Sequence, residues 1–219
     1  MRGALPRVRA VTLLCTALCG GCTGLHSSAQ PEQTYYLRAQ PTAGAAPPAG
    51  VTASLRLARP LAAPGLDSPR IVLVQADHRM SFYAASRWPA PLPDVIEALA
   101  VETLRGSGVW ATVEDSASPF PADYLLQIAV RRFEADYSTG GAAPVVQVVL
   151  DCSIGRRAGS DVITTFTTSG SVPAAANRLG AVLAAFEQAG SAALAALAQQ
   201  AAEAVRADTE HAPRRTGSR

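Results

Sequence analysis

Residues 145–154, VVQVVLDCSI, decide how this chain folds. Val146, Val148, Leu150, Cys152 and Ile154 take one parity, and Gln147, Asp151 and Ser153 take the other. Successive side chains of a strand point to opposite faces, so a period of two buries one face and leaves the other to water. Cys152 falls on the buried parity, where a cysteine serves as a small hydrophobe. Working outward, strands are expected at about Val109–Val113, Tyr124–Phe133 and Val162–Ser171. Further upstream Val51, Ala53, Leu55 and Leu57 alternate with Thr52, Ser54 and Arg56 until Pro60, Pro64 and Gly65 break the pattern. Arg70–Gln75 and Met80–Ala84 read as a hairpin about Asp77-His78-Arg79, and a short strand is expected at Thr34–Arg38.

Two helices interrupt the strands. Pro91-Leu92-Pro93-Asp94 opens one that runs to about Arg105, with Leu92, Val95, Ile96, Leu99 and Leu104 on one face and Gly106 placed to end it. Pro173 precedes a longer one, Asn177–Ala207, whose Leu179, Val182, Leu183, Phe186, Leu194, Leu197, Ala201 and Val205 keep one stripe. The order β-β-β-α-β-β-β-β-α with hairpin-length connections predicts an α+β fold, an antiparallel β-sheet with two helices packed on one face.

The first residues, MRGALPRVRAVTLLCTALCGGC, have the parts of a secretory signal: Arg2, Arg7 and Arg9, an apolar run from about Ala10 to Leu18, and small residues before Cys22. The run is too short to span a bilayer, which takes roughly 20 residues. Gly20-Gly21-Cys22 resembles the lipobox of bacterial lipoproteins, although Cys19 stands where leucine is usual. The competing reading is an ordinary cleaved signal with an unmodified thiol. Acylation at Cys22 would anchor the protein without a span, since each buried methylene contributes about 0.8 kcal/mol and two or more chains hold stably. The expected organisation is a signal peptide at 1–21, a flexible tether at 22–33, a domain at 34–207 and a disordered tail at 208–219.

Composition removes several function classes. Loss of Arg2, Arg7 and Arg9 from the 19 basic residues leaves a slight negative balance against 17 acids, which gives no reason to expect nucleic acid as a partner. Beyond the signal and Cys22 the only cysteine is Cys152, and His78 is the only histidine inside the domain. A zinc site needs three or four Cys, His or carboxylate ligands, so Cys and His alone assemble none. A Ser-His-Asp or Cys-His arrangement would have to use His78, which reads as a surface turn residue. Phosphate-cradling, nucleophile-elbow and zinc-protease motifs do not occur. The expectation is no catalytic residue, no metal and no cofactor other than a lipid on Cys22.

Several pieces in order resemble the ABC-type transport auxiliary lipoprotein family, the PqiC-like lipoproteins. They are Tyr35-Tyr36-Leu37, then Pro64-Gly65-Leu66-Asp67-Ser68-Pro69-Arg70-Ile71, Phe82-Tyr83, Arg87-Trp88, Pro91-Leu92-Pro93, Ala122-Asp123-Tyr124 and an Ala/Leu-rich final helix, together covering about 35–205. One departure is Asp77-His78, where a more glycine-like turn is expected. The resemblance implies a non-enzymatic lipoprotein on the periplasmic face of the outer membrane. It would serve an MCE-type (mammalian cell entry) ABC system for intermembrane lipid transport, with the MCE-domain protein as partner. A ring-shaped conduit would favour a homo-oligomer. The alternative is another outer-membrane assembly lipoprotein, a lipopolysaccharide-export assembly factor or a cell-wall synthase activator.

Candidate partner-binding residues are Leu66, Asp67, Ser68, Tyr83, Arg87 and Trp88. The last three are preferred because Trp, Tyr and Arg dominate binding hot spots. The bland reading makes Leu66-Asp67-Ser68 a turn with the Asp67 carboxylate accepting backbone N–H groups, and Trp88 a core plug under the first helix.

Overall fold

A computed structural model describes residues 31–39, 51–158 and 161–211. The signal peptide, Cys22, most of the tether, the 40–50 loop and the last eight residues lie outside the described residues. Those described form nine strands and two helices: β1 (Gln33–Thr34), β2 (Val51–Leu57), β3 (Leu61–Ala62), β4 (Arg70–Val74), β5 (Met80–Arg87), α1 (Leu92–Gly106), β6 (Trp110–Glu114), β7 (Tyr124–Asp136), β8 (Val145–Arg156), β9 (Val162–Pro173) and α2 (Leu179–His211).

Strand β7, 13 residues long, is the hub. On one side it pairs antiparallel with β8 from Tyr124↔Arg156 to Asp136↔Val145, and β8 continues antiparallel into β9. On the other side three short strands line up against β7 end to end, all parallel to it. Leu55↔Tyr124 sets β2, Leu61↔Ala129 sets β3 and Leu73↔Ala135 sets β4. Two branches extend from there. Strand β2 carries β6 in parallel, and β4 carries β5 antiparallel and then β1 in parallel.

The α+β class is as expected, and the long β7-β8-β9 ribbon is antiparallel. The parallel pairs are the part that alternation does not predict, because period two marks which face is buried and is silent on the neighbour's direction. Strand β3 falls in the stretch expected to be broken, with Pro60 and Pro64 flanking a two-residue bridge. Strand β1 is shorter and earlier than Thr34–Arg38.

Val146, Val148, Leu150, Cys152 and Ile154 are all buried, together with Leu126, Ile128 and Val130 opposite them. Both helices cover this face, with Ile96 and Leu99 of α1 facing Phe186 and Leu194 of α2 over Val148 and Leu150. A bulge between Val130 and Arg132 switches the parity of β7, so Phe133 and Ala135 continue the core where Ile128 and Val130 left it. Helix α2 is long and apolar enough to cross a membrane by composition, yet half of its most apolar window is buried against the sheet. It runs to His211 rather than ending at Ala207, so the first residues of the expected tail belong to the helix. Gly170 of β9 permits that close docking, since a Cβ there would overlap the Ala189 carbonyl of α2.

Candidate functional site

Five of the six nominated residues meet where β5 hands over to α1. The loop from Ala63 to Pro69 turns at Gly65, whose φ of 88° suits a residue without a Cβ. Its backbone then organises its neighbours: Trp88 N–H donates to Pro69 at 2.7 Å and Leu92 N–H to Ser68 at 3.2 Å. Ser68 N–H closes the turn onto Leu66 at 2.8 Å, and its hydroxyl accepts from Arg70 N–H at 3.4 Å. Asp67 is exposed and its carboxylate takes no hydrogen bond among the described residues, so Ser68 does the work expected of Asp67. Leu66 is 3% exposed and belongs to the core.

Trp88 is 1% exposed. Its ring meets Phe133 edge-on at 6.0 Å and Phe186 edge-on at 5.5 Å, while those two stack at 5.0 Å. The bland reading describes it: the indole plugs the junction of sheet and both helices, and a partner reaches neither Trp88 nor Leu66 without opening the core. Arg87 instead points to the incoming chain. Its guanidinium pairs with Glu32 at 3.2 Å, and its carbonyl accepts from Tyr35 N–H at 2.8 Å beside the Thr34↔Arg87 pairing of β1. Ala85, at φ 51°, sits in the irregular stretch of β5 that makes this turn.

Tyr83 stands apart, half-buried towards the end of β7. Its hydroxyl lies 2.9 Å from that of Tyr137, which donates to Asn177 at 2.8 Å. Burial first, and then the hydrogen bond to Tyr137, raises the Tyr83 phenol above its ordinary value. The chain of three ties β5, the loop after β7 and the segment before α2.

Several other titratable groups are tied into the fold. Burial, with a smaller contribution from Asp151, pushes the Cys152 thiol up to about 12, so it stays protonated at neutral pH. His78 is an exposed turn residue with φ 63°, the position where the turn calls for a glycine-like backbone. Asp123 accepts from Ser54 N–H at 2.8 Å and Ser54 hydroxyl at 2.7 Å, and these bonds hold its carboxyl below the usual range. Asp208 takes a bidentate bond from Arg156 and a bond from Tyr124 hydroxyl at 2.8 Å, which pins the end of α2 to β7 and β8. Thus the Ala122-Asp123-Tyr124 motif is read as two ties. Among the described residues no group of three or more His, Cys, Asp and Glu is placed to hold a metal.

A pocket between sheet and helices, roofed by Leu37 and Ala39, has about 10 Å³ of space. That is room for about one water. The larger concavity, an open groove of about 340 Å³, lies on the outer face of the sheet, between Leu125 and Gln127 of β7, Gly155 of β8 and Val162 of β9. Sequence reading did not nominate it. The signal was present in parity: with Tyr124, Leu126 and Ile128 inward, Leu125 is an apolar residue on the wet face.

A family model described as ABC-type transport auxiliary lipoprotein component matches residues 35–202. Among solved structures, a Xanthomonas campestris protein of the DUF330 family model is 28% identical, with a TM-score of 0.72 over 81% of this chain and 99% of that one. Another, an uncharacterized protein, is 15% identical with a TM-score of 0.56 over 82% of this chain and 99% of that one, a likeness of fold alone. The search of curated proteins returned no match.

Proposed function

The chain belongs to the ABC-type transport auxiliary lipoprotein family, and from that premise we propose that it is a lipid-anchored, non-catalytic accessory of an MCE-type ABC system for intermembrane lipid transport, docking the MCE conduit at the outer membrane. The observation that carries this reading is the extent of the match, which spans nearly the whole folded unit from Tyr35 to Ala202. The family's task therefore falls to this one domain. The pocket under the helices takes about one water, far less than an acyl chain, which favours docking over carriage at that place.

In this reading Cys22 carries the lipid, residues 22–32 tether the domain, and self-association would match a ring-shaped conduit. The test is purification of the full-length tagged chain from its own membranes. The expected result is recovery in outer-membrane fractions with an MCE-domain protein bound, and release of the Cys22→Ser variant into the soluble fraction. Recovery instead with lipopolysaccharide-export or cell-wall synthase proteins would replace the reading with that of an assembly lipoprotein.

A further inference from the structure

Strands β1, β6 and β9 stand at the ends of the sheet, and the first two are guarded. Strand β1 has two residues and is flanked by Glu32, which pairs with Arg87. Strand β6 has five, closes on Glu114, and has an acceptor taken up: the Arg105 guanidinium donates to the Val113 carbonyl at 2.9 and 2.8 Å. Shortness and charge of this kind keep an edge from pairing with another chain. Strand β9 has neither. It runs 12 residues, VITTFTTSGSVP, without one charged side chain, and its proline stands at the last position. From Thr164 to Pro173 it keeps unbroken register with β8, so no bulge turns it aside. Its other side meets no strand among the described residues. At ~3.3 Å per residue this is a template about 40 Å long, on which every second residue aims its N–H and C=O outward.

The side chains indicate what pairs there. The core reaches this edge unfinished: Phe166 and Val172, on the inner parity opposite Cys152 and Val146, are only partly buried. On the wet face Thr165, Thr167, Ser169 and Ser171 stand exposed in one row. The first residue, Val162, is 64% exposed and lies across Gly155 from Leu125, with the Phe120 loop held beside that row by the Arg56 guanidinium. The helix behind the strand is equally neutral. Gly170 sits against Ala189 of α2, and α2 carries no charge between Glu187 and Glu203. The charge that borders the wet row, Asp151 of β8, accepts from the Thr167 hydroxyl at 2.8 Å and pairs with Arg131 at 3.4 Å. A contact across a twofold axis sets residues near the axis against their own kind, so a charge there meets a like charge. Freedom from charge is therefore what pairing with a second copy requires. A different protein is selected by charges that complement its own, and β9 offers none.

We propose that β9 is an interface between copies of this chain: two β9 strands pair antiparallel about a twofold axis at Thr167 and join two sheets edge to edge. That register overlaps nearly the whole strand and keeps both parities. Thr165 then faces Ser169 of the second copy on the wet side, hydroxyl to hydroxyl, and the half-open Phe166 is covered on the inner side. The pairing does not depend on the accessory reading above, and mass rather than partner capture tests it.

The test weighs the full-length, lipid-modified chain in detergent by analytical ultracentrifugation. Expected is a particle of two chains or an even multiple. One variant carries Thr165→Lys and Ser169→Lys, and a second carries Thr165→Glu and Ser169→Glu. Each alone should fall to half the native mass or less at an unchanged melting temperature, and the two produced together should recover it. Thr167→Cys should join two copies by a disulfide on mild oxidation, and Thr52→Cys on β2 should not. If the charged variants lose their melting transition, the Thr167→Cys disulfide decides alone. A native particle of one chain or an odd number, or both charged variants at native mass, would overturn the pairing. So would two charged variants that stay dissociated when produced together, since a contact of β9 with any other surface is not restored by that exchange. A Thr167→Cys chain that stays unlinked in a particle of native mass overturns it as well.

Discussion

Two corners of one sheet use their side chains in opposite ways. Where the chain enters, the conspicuous residues are consumed internally: Trp88 in the aromatic cluster, Leu66 in the core, Arg87 on Glu32 and the strand β1. At the diagonal corner, plain aliphatic residues and Phe120 stand in water, and the side chains of Arg157 and Asp161 beside them make no hydrogen bond or ion pair among the described residues. The contrast teaches that residue type alone does not mark a docking surface. Tryptophan buries 150–250 Å² and is as valuable inside as at an interface, so its location depends on what the fold leaves uncovered.

The contrast can be broken by substitution. Trp88→Ala should cost about 3–5 kcal/mol, because it removes the ring that Phe133 and Phe186 pack against; equilibrium denaturation measures this, and a loss under ~1 kcal/mol would return Trp88 to the list of surface contacts. Tyr83→Phe should cost about 1 kcal/mol, the net worth of one hydrogen bond. The Tyr83 phenol is raised in the fold, so its stabilisation is complete below an unfolded value of about 10 and is lost as pH rises above it. Stability measured against pH should therefore fall on the alkaline side, and less steeply in Tyr83→Phe.

The far corner should show the opposite sign. Asp123 is held low by Ser54, so its contribution is present above about pH 4 and is lost as pH falls through its lowered value. Asp123→Asn should flatten the acid limb only in part, because Asp136 is also held low: burial opposes its charge, but the hydrogen bonds from Ser138 and the charge of Arg132 outweigh that. Acid-induced unfolding followed by circular dichroism separates the two. Smallest of all, Val162→Ser, at a side chain 64% exposed, should change stability by no more than about 0.5 kcal/mol in equilibrium denaturation, the mirror image of Trp88→Ala.

Element types were legible because they rest on local patterns. The β8 alternation, the hairpin about His78, α1 from Leu92 and the β9 and α2 assignments agree with the sequence to within a few residues. The misses have physical causes. Residues DTEH read as polar tail, yet α2 continues through them because Asp208 has a partner in Arg156 some 50 residues upstream. Strand β3 was hidden by its prolines, and the β7 bulge shifted parity after Val130, so alternation read past that point assigns Arg132 and Phe133 to the wrong faces.

Sequence by itself determined that this is an α+β domain with one wet sheet face, that Cys and His are too few for a Cys/His zinc site, that Cys152 is a core thiol, and which family the chain resembles. All of these follow from residue type and spacing along a few turns or strands of chain. Only the tertiary structure decided that β7 takes three parallel neighbours end to end, that Trp88 and Leu66 point inward, and that Leu125, Val162 and Phe120 share one open face. Strand pairing and exposure depend on which distant segment lies alongside, and no local period carries that information.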